Sequence, residues 1–298
     1  MELNGIHLLL TYQCTFECDH CFVWGSPFQT GTMTLNNLKT IFNQAKEAST
    51  IDWIYFEGGE PFLYYQVMLT GIKLAHEYGY KVGIVTNSYW ATSEEDALLW
   101  LSPLAGMVQD LTISSDLFHF SEKISQQSKY VTTAADKLNI PLGVICIEEP
   151  EILSISSKGQ IPSESSSVMY RGRATDKLTH KAVFQSANNF TDCPHENLRN
   201  PGRVHIDPFG NMHICQGISI GNIFSLSISE LCNNFNPNTH PIISPLLNGG
   251  PVQLADQYNI PHKDTYADAC HMCYEVRKSL RGMFPDILLP DQMYGVLN

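Results

Sequence analysis

Three cysteines stand close together near the start of the chain, in Cys14-Thr-Phe-Glu-Cys18-Asp-His-Cys21. Three thiolates on one short loop can hold three of the four irons of a [4Fe–4S] cube, leaving one iron open to another ligand. An open iron is a site for chemistry, whereas a cluster closed by four cysteines mostly moves electrons. The competing occupant is zinc, bound by the same thiolates with His20 or a distant residue as fourth ligand. Further on, Gly58-Gly59-Glu60-Pro61 sets two glycines, which let a backbone approach a ligand closely, beside an anion. By itself that tetrapeptide is an ordinary turn. Thr86-Asn87 and Ser114-Ser115-Asp116 add short polar groups. Late in the chain, Cys193, Cys215, Cys270 and Cys273 make four more candidate ligands, the last two as a C-x2-C pair. Four ligands would close a cluster and suit it to electron transfer, or hold a structural zinc.

These residues need a frame. Ile6 to Tyr12 reads as a buried strand, Thr34 to Ser49 as a helix capped by Thr34, and Ile51 to Phe56 as a second strand. A helix over Tyr64 to Tyr78, a strand over Lys81 to Thr86 and a helix from Ser93, with Asp96 completing a capping box, continue the alternation. Leu111 to Ser114, Ser121 to Leu138 and Pro141 to Ile147 follow as strand, helix and strand, and Ser167 to Tyr170 is a candidate sixth strand. Strict alternation predicts parallel strands with helical crossovers. So few units predict an α/β fold, a partial (β/α)6 TIM-like barrel, with chemistry at the C-terminal strand ends. The cysteine loop, the Gly-Gly-Glu-Pro turn, Thr86-Asn87 and Ser114-Ser115-Asp116 follow four successive strands, and that shared register gives the weak motifs weight.

The serine-rich stretch from Ser154 to Ser167 reads as a loop. After about residue 185 the pattern changes. Val204 to Asp207 and Asn211 to Cys215 flank the turn Asp207-Pro208-Phe209-Gly210 as a hairpin, with His205 and His213 facing each other across it. Asn233 to Pro251, rich in Asn, Pro and Gly, reads as irregular. The expected division is residues 1–185 for the barrel and 186–298 for a small C-terminal α+β extension with a tail.

The 298 residues carry a net charge of −12, from 18 Lys+Arg against 30 Asp+Glu, with no basic run to track a phosphate backbone, so nucleic acid is not expected as a partner. Apolar stretches are strand-sized, short of a membrane span, and no basic–apolar–small leader follows Met1, so a cytoplasmic location is expected. In such a compartment the nine cysteines read as metal ligands or redox groups rather than disulfides. Cys146, on a predicted strand, and Cys232, on a predicted helix, read as packed thiols.

Cys14, Cys18 and Cys21 match the C-x3-C-x2-C signature of the radical S-adenosylmethionine (SAM) superfamily, with the aromatic Phe22 beside the last cysteine, and Gly58-Gly59-Glu60-Pro61 resembles its GGEP motif. The resemblance implies that the open iron chelates SAM, whose reductive cleavage gives methionine and a 5′-deoxyadenosyl radical that abstracts a hydrogen atom from the substrate. It assigns Cys14, Cys18 and Cys21 to the catalytic cluster. Phe22, Gly58, Gly59, Glu60, Pro61 and Arg171 are assigned to SAM, with Glu60 accepting from its ammonium, while Thr86, Asn87, Ser114 and Asp116, as short polar groups at strand ends, suit SAM ribose hydroxyls or substrate. Ile206 to Cys215, with Gly210 four residues ahead of that cysteine, and Gly221-Asn222-Ile223 resemble the SPASM/twitch extension. That resemblance implies an auxiliary [4Fe–4S] cluster on Cys193, Cys215, Cys270 and Cys273, of the shorter twitch type.

The function implied is an oxidation or rearrangement of a small molecule or peptide, with flavodoxin or ferredoxin as reductant. Many relatives mature ribosomal peptides using a precursor-binding domain, for which a first strand starting near residue 5 leaves no room; this tilts the expectation toward a small molecule. A non-catalytic iron–sulfur carrier and a zinc module are the readings from other classes. Arg171 and Arg173, in Tyr-Arg-Gly-Arg-Ala, could pair with a carboxylate of SAM or substrate or form a surface ion pair. His119 could be a substrate-side proton donor or an ordinary half-buried histidine.

Overall fold

The strand–helix alternation is present in the computed structural model, which describes residues 1–121, 124–148 and 167–296. β1 (Leu3–Thr11), α1 (Leu35–Ala48), β2 (Trp53–Gly58), α2 (Tyr65–Glu77), β3 (Lys81–Thr86), α3 (Glu94–Leu101), β4 (Asp110–Ser114), α4 (Gln126–Lys137) and β5 (Leu142–Ile145) follow one another. The five strands pair in parallel in the order β5-β4-β3-β2-β1. Caps and apolar stripes agree along α1: Thr34 forms a capping box with Asn37, Ser49 ends the helix at φ 56°, and Leu38, Ile41, Phe42 and Ala45 are buried. With Ile6, Leu8 and Leu10 of β1 and Ile54 and Phe56 of β2 they belong to one apolar core. The box expected at Ser93 is only half formed. Ser93 Oγ accepts from Asp96 N at 3.1 Å, but the Asp96 carboxylate takes the Thr92 hydroxyl instead.

The second half of the chain supplies α5 (Ala174–Lys177), β6 (Gln185–Ser186), β7 (Gly202–Ile206), β8 (Asn211–Cys215), β9 (Ile218–Asn222), α6 (Ile228–Asn234), α7 (Ile243–Gln257), β10 (Thr265–Tyr266) and α8 (Ala269–Leu280). β7 and β8 form the expected hairpin, with His205 opposite His213. β7 also pairs in parallel with β1, which makes it the sixth parallel strand, and β8 and β9 continue the same sheet antiparallel. The result is an α/β partial barrel of six parallel strands whose sheet stays open among the described residues.

Two expectations change. Ser167 to Tyr170 is not a strand: Tyr170 N bonds the Asp268 carboxylate at 3.0 Å rather than a sheet edge. Asn233 to Pro251 is not wholly irregular, because α7 starts within it, as two helical pieces that meet at Gly249 and Gly250 (φ 67°). Pro251 is tolerated because it opens the second piece, where a missing N–H costs nothing. The serine-rich loop lies outside the described residues up to 166. No helix of the described residues is long and apolar enough to cross a membrane.

One buried carboxylate ties the two halves together. Asp207, fully buried in the hairpin turn, accepts from Phe209 N and Asn211 N at 2.9 Å each through Oδ1. Its Oδ2 accepts from Asn211 Nδ2 at 2.9 Å and from the Tyr12 hydroxyl at 3.2 Å, with His213 Nε2 also at 3.2 Å. Tyr12 is the last residue before the cysteine loop but one, so this joint fixes where that loop begins. Asp207→Ala would strand several buried donors and is expected to cost roughly 3 kcal/mol or more, against about 1 kcal/mol for Tyr12→Phe. Urea unfolding of both variants measures this; equal, small losses would show that the turn stands without its carboxylate.

Candidate functional site

β1 ends at Thr11 and the chain turns into the cysteine loop, while β2 ends at Gly58 and turns into Glu60-Pro61. The two turns lie backbone against backbone. Gly59 N donates to Thr11 O at 2.7 Å and Glu60 N to Gln13 O at 2.8 Å. A Cβ on Gly59 would sit 2.0 Å from Gln13 O, so no other residue fits there. Gly25 marks where the parts converge: a Cβ there would lie 3.3 Å from both Cys14 Cβ and Gly59 Cα and 3.6 Å from Cys21 Sγ.

Cys14 and Cys18 are buried and Cys21 half-buried. N–H groups point at two of the sulfurs: Gly25 N to Cys21 Sγ at 3.2 Å, and Phe16 N and Asn87 Nδ2 to Cys14 Sγ at 3.5 Å each. Burial pushes the Cys14 thiol up to about 12 and raises Cys18 further, the neighbouring cysteines adding to it. Such thiols ionise only when a cation takes the place of the proton. Convergent thiols, sulfur-directed N–H donors and a side-chain-free backbone at their junction all fit an iron–sulfur cluster.

Arg173 braces this loop from far along the chain. Its guanidinium donates to Cys18 O and Gly25 O at 2.8 Å each, its backbone N donates to Cys21 O at 3.0 Å, and it lies 5.4 Å over the Trp24 ring. Gly172 before it is at φ 61°, and a Cβ there would meet Cys21 O and Phe22 O at 2.6 Å. Arg173 thus bonds main-chain carbonyls, not a carboxylate. Its only sequence signal was the Gly172-Arg173 pair, whose glycine permits the close approach.

Glu60 is fully buried and Pro61 opens a short 3-10 turn behind it. Its Oε1 accepts from Phe62 N at 3.0 Å and Thr86 Oγ1 at 2.8 Å, and its Oε2 from Asn87 N at 2.8 Å. A carboxylate has about four acceptor sites, so one remains on Oε2. Burial pushes the Glu60 carboxyl up to about 7 against the pull of these three donors. The ends of β2 and β3 are therefore joined to the cysteine loop, Asn87 Nδ2 also donating to Thr15 Oγ1 at 3.1 Å.

Ser114 closes β4, and Asp116 beyond it is buried. Asp116 accepts from Phe118 N at 3.0 Å, His119 N at 3.2 Å and Ile147 N at 3.2 Å, and meets His119 Nδ1 at 2.7 Å. Burial alone would raise it, but His119 and His20 hold it below the usual carboxylate range. His119 thus faces Asp116 and His20, whose buried Nδ1 has no hydrogen-bond partner among the described residues.

The four late cysteines also come together. Cys193, Cys215, Cys270 and Cys273 line one cavity with Arg171, His195, Glu196 and Arg277. Cys215 ends β8, while Cys270 and Cys273 share a face of α8, whose N-cap Asp268 accepts from His271 N at 2.7 Å. Burial pushes Cys215 up to about 12 and raises Cys193 and Cys270. Arg171 lies here rather than beside Glu60, 3.4 Å from Glu196 and 5.1 Å over the ring of Phe22. Cys232 is buried in the core from α6, and Cys146 lies just past the end of β5. The tail docks on this part: Met293 O accepts from Gln216 Nε2 at 2.9 Å and the Tyr294 hydroxyl donates to Gly217 O at 2.8 Å.

Residues 8–126 match the family model of the radical SAM superfamily. YydG of Bacillus subtilis (strain 168), whose name assigns it provisionally to peptide biosynthesis, is 27% identical over 120 residues, 40% of this chain and 38% of that protein. The S-adenosylmethionine-dependent nucleotide dehydratase of Selenomonas ruminantium is 30% identical over 82 residues, 28% of this chain and 29% of that protein. The chain thus matches well under half the length of either relative. Among solved structures, BtrN in complex with AdoMet and 2-DOIA shares the fold with a TM-score of 0.53 at 17% identity, over 78% of this chain and 84% of that one. Native anSMEcpe with bound AdoMet and Cp18Cys peptide does so at 0.51 and 13%, over 96% and 97%. The family match implies SAM and a [4Fe–4S] cluster as cofactors.

The raised Glu60 makes a signed prediction. Below pH 4.5, its ordinary value, the carboxyl is protonated folded or unfolded and costs nothing; as pH rises through about 7 the folded protein must bury the anion. Relative to Glu60→Gln, the cluster-free, SAM-free protein should lose roughly 2–3 kcal/mol of stability between pH 5 and pH 8.5. Urea unfolding at both pH values tests it, and a pH-independent difference would mean that Glu60 is ionised throughout.

Proposed function

We propose that this chain, whose residues 8–126 carry a radical SAM domain, cleaves SAM reductively at a [4Fe–4S] cluster on Cys14, Cys18 and Cys21 and abstracts a hydrogen atom from its substrate. The observation that carries the reading is the glycine-only junction of the cysteine loop with the Gly58-Gly59-Glu60 turn. When bound, cluster and SAM together supply a 5′-deoxyadenosyl radical. The chain's own part is to hold three thiolates, aim N–H groups at the sulfurs, and keep the loop in place through Arg173. Glu60 Oε2 keeps acceptor capacity for an ammonium, and Thr86 and Asn87 orient that carboxylate. Ser114 and Asp116, at the next strand end, are offered to SAM hydroxyls or to substrate.

Cys193, Cys215, Cys270 and Cys273 are proposed to hold a twitch-type auxiliary [4Fe–4S] cluster that accepts or relays an electron, with 1–185 as the catalytic core, whose sheet β7 extends, and 186–298 as the auxiliary part. The shared cavity of the four thiols supports this. Arg171 would then act between the two sites, since it covers Phe22 and neighbours Cys215 and Cys270. Flavodoxin or ferredoxin is the proposed reductant, the cytoplasm the proposed location, and an oxidation or rearrangement the proposed reaction class. The relative named for peptide biosynthesis favours a peptide substrate, and the nucleotide dehydratase a small molecule.

The test is anaerobic reconstitution of the protein and of a Cys14/Cys18/Cys21→Ala variant, followed by iron analysis and 5′-deoxyadenosine measurement with SAM and dithionite. The variant should keep about four irons per chain and form no 5′-deoxyadenosine, which the unaltered protein forms. No 5′-deoxyadenosine from either protein would leave an iron–sulfur carrier. A variant without iron would remove the auxiliary cluster and the electron-acceptor role.

A further inference from the structure

The sheet face opposite the helices carries a second set of ligand-type side chains, none of them a cysteine. His7 of β1 stands opposite Tyr55 of β2 on one side and His205 of β7 on the other, and Glu57 lies two residues beyond Tyr55. Because side chains alternate along a strand, these residues all project to one face. Glu57 Oε1 is 3.2 Å from His7 Nδ1 and 2.9 Å from His205 Nε2, and the three ligand atoms all lie within 4.8 Å of one another. Their side chains are 15%, 14% and 18% exposed for His7, Glu57 and His205, sheltered but within reach of an ion.

Ring contacts hold the imidazoles. His7 is stacked on Tyr55 at 4.5 Å and 8°, and the Tyr55 hydroxyl is tied to Asp110 at 2.9 Å. Phe22 meets His205 edge-on at 5.9 Å. Protonation suits ligation as well. Burial favours the neutral form of His205, and the two histidines hold the Glu57 carboxyl well below the usual range although burial opposes it. Two imidazoles and one carboxylate are the donor set for a divalent first-row ion with open positions. Ligands on bonds of about 2.1 Å stand about 3.0 Å apart at right angles, close to the two separations observed.

We propose that His7, Glu57 and His205 bind one divalent transition-metal ion on the concave face of the sheet, separate from both cysteine sites. The absence of thiolates suits manganese, iron(II) or zinc rather than a cluster. On binding, the protons that the inner nitrogens now share with Glu57 Oε1 would move to the outer ring nitrogens, freeing a lone pair on each imidazole for the ion, and the remaining coordination positions could take an oxygen ligand. The site does not depend on the proposed reaction.

Mn2+ is the probe, because it is hard and competes poorly for the cysteines. Electron paramagnetic resonance of free Mn2+ is titrated against the reconstituted, oxidised protein, Glu57→Gln, His205→Asn and Asp116→Asn. The expected result is one Mn2+ per chain, weakened at least tenfold in Glu57→Gln and His205→Asn and unchanged in Asp116→Asn. Far-ultraviolet dichroism and the visible spectrum of the cluster-loaded protein confirm that each variant is folded, and either variant at the site suffices. No bound Mn2+ in the unaltered protein overturns the proposal. So does binding that survives both site variants, or that is lost in Asp116→Asn alone, which would move the ion to His20, Asp116 and His119.

Discussion

The site depends on one contact between two stretches of bare backbone. Gly59 lies so close to the carbonyl of Gln13 that a single added carbon would have to occupy the space of that oxygen. The ends of β1 and β2 are locked by two main-chain hydrogen bonds, with the Tyr64 hydroxyl on Gln13 Oε1 beside them, which leaves the thiols and Glu60 free for chemistry. Cys14 faces Asn87, and Glu60 faces Thr86, because the turns beneath them are fixed. A side-chain-mediated joint would introduce rotamers between the thiols and the carboxylate; a backbone joint does not.

β1 carries the second constraint, since it is central to the sheet and has partners on both sides. β2 brings the Gly-Gly-Glu turn to one flank, and β7 brings the hairpin with Asp207 to the other. Segments far apart in sequence are thereby referred to one strand, and the late cysteines sit on elements that grow from the same sheet: Cys215 ends β8, two strands from β1. A further link is Trp24, three residues after Cys21, whose Nε1 donates to the hydroxyl of Tyr274, the residue after Cys273, at 2.9 Å.

Much of this was legible because local signals agreed. Thr34 and the stripe from Leu38 to Ala45 defined α1 almost to the residue, and Lys81 to Thr86 is β3 as expected. The polar motifs follow the strand ends because the alternation of strands and helices leaves them nowhere else to fall. What was misread depended on partners remote in sequence. Ser167 to Tyr170 has strand-like composition but joins neither edge of the sheet, because Tyr170 N is tied to the Asp268 carboxylate. β9, Ile218–Asn222, is short and was not anticipated; it exists because β8 offers an edge. α7 was hidden by Gly249, Gly250 and Pro251, which signal a break, correctly, but inside two helical pieces. Arg173 could be seen, but not its role: nothing in Tyr-Arg-Gly-Arg-Ala tells an arginine for carbonyls from one for carboxylates.

Charge supplies the last link. Arg173 and Arg277 are buried, and each donates to main-chain carbonyls and lies over aromatic rings rather than meeting a carboxylate. A buried guanidinium with only neutral partners costs several kcal/mol of lost hydration. Arg173 acts electrostatically on Cys18, and Arg277 on Cys273 and Cys215, lowering the cost of ionising Cys18 and Cys215. Among the described residues neither guanidinium has a carboxylate in contact, so a nearby thiolate would be the counter-charge that each lacks. Each cysteine site thus has a buried guanidinium within electrostatic reach of its sulfurs, which offsets part of the burial cost of a thiolate at Cys18 and Cys215.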